Sequence, residues 1–200
     1  MPELPEVETT CRGIKPHIQD RKVANVIIRQ RKLRWPIPRN LSNTIKSQKV
    51  IDVYRRGKYV LISFKTGTLI IHLGMSGRLC VTSQDVPPEK HSHVDIIFSG
   101  QPSKNKSNNK SKQIVLRYTD PRRFGCVLWT SDDIDEHRLL VNLGVEPLTK
   151  DFTAEHLFKL ATRKTQAIKQ FVMDSKNVVG VGNIYANESL FKAGIDPRKE

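Results

Sequence analysis

Cysteine is scarce in this sequence, and no long apolar run is present. The three cysteines, Cys11, Cys80 and Cys126, include no CxxC pair. That pattern indicates reduced, mostly buried side chains rather than a disulfide framework or a zinc site. No stretch reaches the length of a membrane span, and the N-terminus is acidic, without an apolar signal core. These absences predict a cytoplasmic protein that does not enter a membrane.

Acidic residues are outnumbered by basic ones. The chain has 34 Lys and Arg residues against 20 Asp and Glu, a net charge of +14. An excess of this size attracts a polyanion, and nucleic acid is the usual one. A generally basic protein, or one that binds anionic lipid, is the alternative that composition leaves open. The hydrophobic content of 38% and charged content of 27% are typical of a globular chain.

Hydrophobic patterning divides the chain into two regions. Pro5 suits the first turn of a helix, and apolar residues follow it at helical spacing as far as Ile18. Short runs rich in β-forming residues come next, from KVANVIIRQ to FGCVLWT, separated by turn residues as in a sandwich or barrel. Beyond about Thr130 the sequence predicts helices, the first over residues 131–144 between an acidic start and a glycine stop. We therefore predict an α+β fold, with an N-terminal helix and two-sheet β-sandwich in residues 1–131 and a helical domain in residues 132–200.

The start of the chain, MPELPEVETT, places carboxylates beside a proline. An initiator methionine is usually trimmed before a small residue, so Pro2 would carry a secondary amine that is partly neutral at cellular pH. Attack of this amine on a sugar C1′ would expel the base, and the resulting iminium would allow strand scission by β-elimination. Glu3 could protonate a leaving or ring oxygen, and Glu6 could organise the site. The alternative is an ordinary helix start, where proline and acids are common, and the residues alone favour it.

Lys58 in RRGKYV follows a glycine at the start of a predicted strand. It could bind phosphate or transfer protons during elimination. Alternatively, it is a solvated edge charge that discourages aggregation.

Two turns carry bulky or cationic residues. In HLGMSGR, Met75 lies between two glycines, and in DPRRFG a turn precedes Arg122 and Phe124. An enzyme that acts on a base must extrude it and hold the gap open, a task that suits apolar wedges and a guanidinium facing the orphaned base. The alternative places Met75 and Phe124 in the core with the arginines on the surface, and the residues alone favour it.

Two further motifs could contact phosphate. HSHVD offers His91 and His93 in alternation, so one should face the surface and one the interior. A metal pair lacks an obvious third ligand, which leaves phosphate contact or packing. VVGVGNIYANE is a glycine-rich turn entering a helix but lacks the full G-x-G-x-x-G fingerprint. A helix N-terminus that holds a DNA phosphate, helped by Asn183, fits the charge better.

Four of these motifs, PELPEVET, HLGMSG, DPRRFG and VGVGNIYANE, occur in the order seen in bacterial formamidopyrimidine-DNA glycosylases. The sequence resembles that family over essentially all 200 residues. The resemblance implies excision of oxidised purines, such as 8-oxoguanine and formamidopyrimidines, from damaged double-stranded DNA, with strand cleavage by β,δ-elimination. The sister endonuclease VIII branch, which prefers oxidised pyrimidines, typically begins PEGPE instead.

The family assigns catalytic roles to matching positions. By resemblance, Pro2 is the Schiff-base nucleophile, Glu3 the proton donor and Lys58 the lysine of β-elimination, with Glu6 in the same site. Met75, Arg122 and Phe124 resemble the void-filling set, with Arg122 facing the cytosine opposite the lesion. Positions that match DNA-backbone contacts of the family are His91, Lys164 and Asn183.

The sequence departs from the family in two respects. Family members continue for several dozen residues, completing a helix–two-turn–helix element and adding a four-cysteine zinc finger whose arginine also serves δ-elimination. Because this chain ends at Glu200, we expect a C-terminally truncated member: a monomer with an incomplete helix–two-turn–helix, no zinc finger, and no metal or other cofactor in this chain. The lysine-rich segment 99–112 is longer than expected and predicts a flexible surface loop that could add DNA affinity. Two alternatives stay open, an endonuclease VIII-like pyrimidine glycosylase and a DNA-binding remnant without turnover.

Overall fold

The first helix follows directly from the sequence pattern. The computed structural model describes residues 1–100 and 113–200, so most of the predicted loop 99–112 lies outside the described residues. Helix α1 (Leu4–Ile18) has Pro5 in its first turn and Pro16 near its last. Its buried face consists of Leu4, Val7, Cys11, Ile14 and Ile18. This face covers the strands that follow.

Within residues 1–100 and 113–200, eight antiparallel strands form two four-stranded sheets. The strands are β1 (Val23–Ile28), β2 (Asp52–Arg56), β3 (Tyr59–Phe64), β4 (Gly67–His72), β5 (Arg78–Ser83), β6 (Ser92–Phe98), β7 (Ile114–Thr119) and β8 (Cys126–Thr130). The first sheet has the order β1-β6-β7-β5 and the second the order β2-β3-β4-β8. A short helix, α2 (Leu41–Ile45), packs on β1. Apolar side chains of both sheets and of α1 form one core, with Phe98 and Tyr118 among its largest fully buried members.

Three helices follow the sandwich: α3 (Ala154–Ala161), α4 (Ile168–Met173) and α5 (Asn183–Lys192). Thr153 caps α3, its hydroxyl accepting from the amide of His156 at 3.0 Å. These elements confirm the predicted α+β fold of N-terminal helix, two-sheet sandwich and subsequent helices. The last strand ends at Thr130, and the division into domains 1–131 and 132–200 stays a prediction. No helix within the described ranges combines the length and apolar character needed to cross a membrane.

The predicted helix over residues 131–144 is wrong. Only Ile134–Glu136 form a single 3-10 turn, and the chain then runs across the outer face of the second sheet. Leu140 is buried there against Leu61 and Ile70. The carbonyl groups of Leu143 and Gly144 accept hydrogen bonds from the Arg56 guanidinium instead of forming helical bonds. Tertiary contacts therefore override the local capping signals.

Candidate active site

Glu3 lies at the centre of a backbone cradle. The residue is only 1% exposed, although it is the third residue of the chain. Its Oε2 accepts from the amide of Gly182 at 2.6 Å and of Tyr185 at 3.3 Å, and its Oε1 accepts from Ile184 at 2.8 Å. These amides form the N-terminus of α5, where unpaired N–H groups and the helix dipole favour an anion. The structure thus joins the two ends of the sequence through one carboxylate.

Glycines make this close approach possible. A Cβ at Gly182 would lie 2.5 Å from the Glu3 carboxyl carbon, and one at Gly180 would lie 2.6 Å from the Cβ of Leu4. Gly180 also has a φ of +82°, and its carbonyl accepts from the amide of Leu4 at 3.0 Å. The expectation that this helix N-terminus holds a DNA phosphate is therefore corrected, because its amides already bind Glu3. The Asn183 side chain is exposed beside them.

Pro2 and Glu6 lie next to the cradle. Pro2 is half-buried and directly precedes Glu3, and in the structure its nitrogen still carries Met1. Glu6 turns back along the first turn of α1, where its Oε2 accepts from the amide of Glu3 at 2.8 Å. This bond fixes the backbone at the residue that follows Pro2. Pro2, Glu3 and Glu6, which the sequence singled out, therefore lie in one small region.

Lys58 reaches the same region from the turn between β2 and β3. Its Nζ donates to the carbonyl oxygen of Val181 at 2.9 Å, within the glycine-rich segment that cradles Glu3. Burial lowers the pKa of Lys58, while the nearby charges of Glu3 and Glu6 act in the opposite direction. A lowered pKa increases the fraction of neutral amine that can accept a proton.

An ion-pair network behind Lys58 was not anticipated. Arg55 pairs with Glu8 of α1 at 2.9 Å and with Glu146 at 2.6 Å, and Arg56 pairs with Glu146 at 3.1 Å. The Glu146 oxygen that pairs with Arg56, Oε1, also accepts a hydrogen bond from the amide of Gly57 at 2.8 Å. The network ties α1, the turn that carries Lys58, and the segment after the sandwich to one another. The RRG motif that precedes Lys58 was its only sequence signal.

Met75 and Phe124 are 42% and 47% exposed, so the alternative that placed them in the core is wrong. Arg122 stacks over the Phe124 ring, with its Cζ 4.8 Å from the ring centroid. These residues line a cleft of about 720 Å³ together with Met1, Lys32, Leu33, Arg34, His72, Gly74 and Arg123. The two turns predicted to carry wedges thus share one cleft with the chain start.

His72 in this cleft is held as a neutral donor. Burial, and then the positive charges of Arg34 and Lys58, lower the pKa of His72 to about 4. Its Nδ1 accepts from the amide of Gly74 at 2.9 Å. A neutral ring that accepts at Nδ1 carries its proton on Nε2.

The remaining predicted contacts are dispersed. His93 is buried, with its Nε2 2.7 Å from the carbonyl oxygen of Asp120, and His91 is half-buried. This difference does not follow from alternation, because residues two positions apart along a strand lie on the same face. Lys164 is exposed after α3 and lines a surface groove with Phe158 rather than the cleft. Within residues 1–100 and 113–200, no group of three or more His, Cys, Asp or Glu side chains is arranged to hold a metal ion.

Comparison with known families matches both halves of the chain. The model of the formamidopyrimidine-DNA glycosylase N-terminal domain matches residues 1–127, and that of the formamidopyrimidine-DNA glycosylase H2TH domain matches residues 143–200. The chain belongs to the formamidopyrimidine-DNA glycosylase family. The resemblance inferred from the four motifs is thereby confirmed.

Individual family members agree with this assignment. Formamidopyrimidine-DNA glycosylase of Cellvibrio japonicus is 56% identical over 197 residues, which are 98% of this chain and 68% of that protein. The glycosylase of Methylococcus capsulatus is 52% identical, over 100% of this chain and 69% of that protein. Lactococcus lactis Fpg (MutM), solved with DNA containing N7-benzyl-Fapy-dG, superposes with a TM-score of 0.85 at 29% identity and covers 100% of this chain and 70% of that one. The same protein was also solved with abasic-site DNA.

Proposed function

We propose that this chain is a bifunctional DNA glycosylase and AP lyase of base-excision repair. It removes oxidised purines, 8-oxoguanine and formamidopyrimidines among them, from damaged double-stranded DNA and then cleaves the strand by β,δ-elimination. Family membership and the DNA complexes of the Lactococcus protein support this proposal. The net charge of +14 suits a polyanionic partner. The protein would act as a monomer on DNA in the bacterial cytoplasm.

The observation that carries the proposal is the junction around Glu3. A half-buried Pro2, a carboxylate cradled by amides, and the Lys58 amine within 2.9 Å of the same glycine-rich segment meet here, and Met1 beside them lines the cleft. Sequence separations of 123 and 179 residues are bridged to bring them together. Holding several reacting groups in one geometry can supply a large part of the rate enhancement of such a reaction.

Each of these groups has a step in the reaction. The Pro2 amine, free once Met1 is removed, attacks C1′ and the glycosidic bond breaks, its electrons leaving with the base. The departing base takes the proton of the Pro2 nitrogen. Glu3 donates a proton to the sugar ring oxygen as the C1′–O4′ bond breaks and the nitrogen lone pair forms the C1′ iminium, and the amide donors match the negative charge that Glu3 then carries. The iminium acidifies the C2′ proton, which Lys58 in its neutral form accepts, and the C3′–O bond breaks. Glu6 holds the backbone between nucleophile and acid.

DNA contacts divide between the cleft and its surroundings. Met75 and Phe124 would fill the space vacated by the flipped nucleotide, and Arg122 would bond the cytosine left opposite. Their exposure on adjoining turns supports this role. Phosphate contacts are assigned to His91 and Lys164, which lie outside the junction, and to the exposed side chain of Asn183 at its edge.

The test is covalent capture. The 200-residue chain is incubated with an 8-oxoguanine:cytosine duplex and borohydride, which reduces an iminium to a stable adduct. We expect an adduct that Pro2→Gly abolishes. A thymine glycol duplex serves as the comparison, and preferential capture there would indicate the endonuclease VIII-like alternative. A folded chain that binds the duplex but forms no adduct would contradict the proposal and favour a DNA-binding protein without turnover.

A further inference from the structure

The two turns that line the cleft are crossings between the sheets. Residues 73–77 connect β4 of the second sheet to β5 of the first, and residues 120–125 connect β7 of the first to β8 of the second. The pairs His72–Cys126 and Arg78–Thr119 place the turns side by side. A Cβ at Gly74 would lie 2.5 Å from the amide nitrogen of Gly125, so their backbones are in direct contact.

A buried carboxylate bonds to both turns. Asp120 is 0% exposed. Its Oδ1 accepts from the Ser76 hydroxyl at 2.8 Å, and its Oδ2 accepts from the Gly125 amide at 2.9 Å and the Tyr118 hydroxyl at 3.1 Å. Ser76 in turn accepts from the amide of Arg122 at 3.2 Å. The first turn is therefore held at Ser76, next to Met75, and the second turn at Gly125, next to Phe124.

The donors to Asp120 are neutral. Among the described residues, Asp120 forms no ion pair, and burial raises the pKa of Tyr118, which keeps its hydroxyl a donor. A carboxylate buried without a cation is costly unless its hydrogen bonds are complete. Moving either turn would leave part of the Asp120 carboxylate without a donor, so these bonds favour one spacing of the two turns.

We propose that Asp120 is a positioning residue that, through Ser76, sets the spacing between Met75 and the Arg122–Phe124 pair and thereby the preference for cytosine opposite the lesion. The proposal rests on the proposed function, because it concerns how the flipped state is held. We call the hydrogen bonds of Asp120 and Ser76 that hold the two turns the clamp. The clamp should matter when there is an orphaned base to contact, and it should be dispensable for the reaction of Pro2 with a strand that has no partner.

The test compares two kinds of substrate, lesion duplexes and a single strand. Excision is measured on 8-oxoguanine duplexes with cytosine or adenine opposite, and borohydride capture is measured on a single-stranded abasic oligonucleotide. Ser76→Ala should lower excision opposite cytosine by about five- to tenfold, the equivalent of one positioning hydrogen bond, and reduce the cytosine-over-adenine ratio similarly. Capture on the single strand should stay within about twofold of the parent chain.

Three variants complete the design. Ser76→Thr restores the hydroxyl and should restore the ratio. Ser83→Ala removes a similar hydroxyl–carboxylate bond, to Asp85 at 3.1 Å on an exposed turn, and should change neither substrate. Asp120→Asn places an amide where the Gly125 amide and the Tyr118 hydroxyl already donate. It should therefore lower excision opposite cytosine more than Ser76→Ala does. If this variant does not fold, the Ser76 variants decide.

Equal losses on both substrates, or an unchanged ratio in Ser76→Ala, would overturn the clamp. A parent chain that captures the abasic strand but shows no preference for cytosine would overturn the clamp and leave the lyase chemistry standing. A parent chain that captures neither substrate would instead refute the proposed function, and the clamp with it.

Discussion

Gly182→Ala places a methyl group against the Glu3 carboxylate. The residue has φ −126° and ψ −157°, an extended conformation open to alanine, so the backbone is not strained. The conflict is steric, since the new Cβ would lie 2.5 Å from the carboxyl carbon and 2.6 Å from Oε1, whereas ordinary contacts begin at 3.4 Å. Glu3 or the start of α5 must therefore shift by about 0.9 Å, the difference between 3.4 and 2.5 Å.

A displacement of this size should affect rate more than folding. Misplacing a reacting group by about 1 Å can cost about 100-fold, so adduct formation on the 8-oxoguanine:cytosine duplex should slow by about that factor. Loss of one of the three amide bonds to the carboxylate should lower the free energy of unfolding by about 1.5–3 kcal/mol. Single-turnover capture below the melting temperature, together with thermal unfolding by circular dichroism, separates the two effects.

Gly13→Ala is the matched control. Gly13 lies within α1, is exposed, and a Cβ there would meet nothing within 4 Å. Alanine in a helix interior should raise the free energy of unfolding by about 0.5–1 kcal/mol and leave capture unchanged. If Gly182→Ala captured DNA as fast as the parent chain, or if both glycine variants slowed equally, the cradle would not position Glu3 for the reaction.

Two further perturbations test the surroundings of the site. Glu146→Ala removes the shared partner of Arg55 and Arg56, whose side chains are 13% and 27% exposed, and should lower the free energy of unfolding by about 2 kcal/mol after allowance for solvent screening. Glu155→Ala breaks an exposed pair and should change urea unfolding by less than about 0.5 kcal/mol; equal effects would contradict the role of the network. Because the pKa of His72 falls from 6.5 to about 4 on folding, the unfolded chain binds more protons between these values, and stability should decline as pH drops through them by up to about 1.4 kcal/mol per pH unit. His72→Asn should flatten that decline, and an unaltered pH profile of urea unfolding would exclude His72 as its source.

Local patterns predicted most of the fold. The helical spacing after Pro5 predicted the buried face of α1, and the β-forming runs predicted the sandwich. Both predictions were possible because the pattern of apolar residues along a short segment determines which face is buried. The helix predicted over residues 131–144 is wrong for the opposite reason. Its carbonyls bond to Arg56, a residue 87 and 88 positions away, and no local signal records such a partner.

The features of the candidate site could likewise be predicted only in part from local sequence. Residue types alone favoured a plain helix start for Pro2 and a core position for Phe124, and only the combination of four motifs pointed to chemistry. Their exposure or half-burial in the structure is decided by neighbours distant in sequence. The identity of the anion at the α5 N-terminus could not be predicted either, because Glu3 lies 179 positions from Gly182.

The position of Glu3 makes the reactive centre depend on both parts of the chain. The sandwich supplies Lys58, and α1 begins immediately after Glu3, but the donors that hold its carboxylate belong to the N-terminus of α5. A buried carboxylate deprived of those donors would have to turn towards water or lose its charge. Either response moves the acid away from Pro2. Under the proposed mechanism, Pro2 and Glu3 therefore reach their mutual geometry only when α5 is docked, which links the proposed chemistry to the same helical region that is expected to contact DNA.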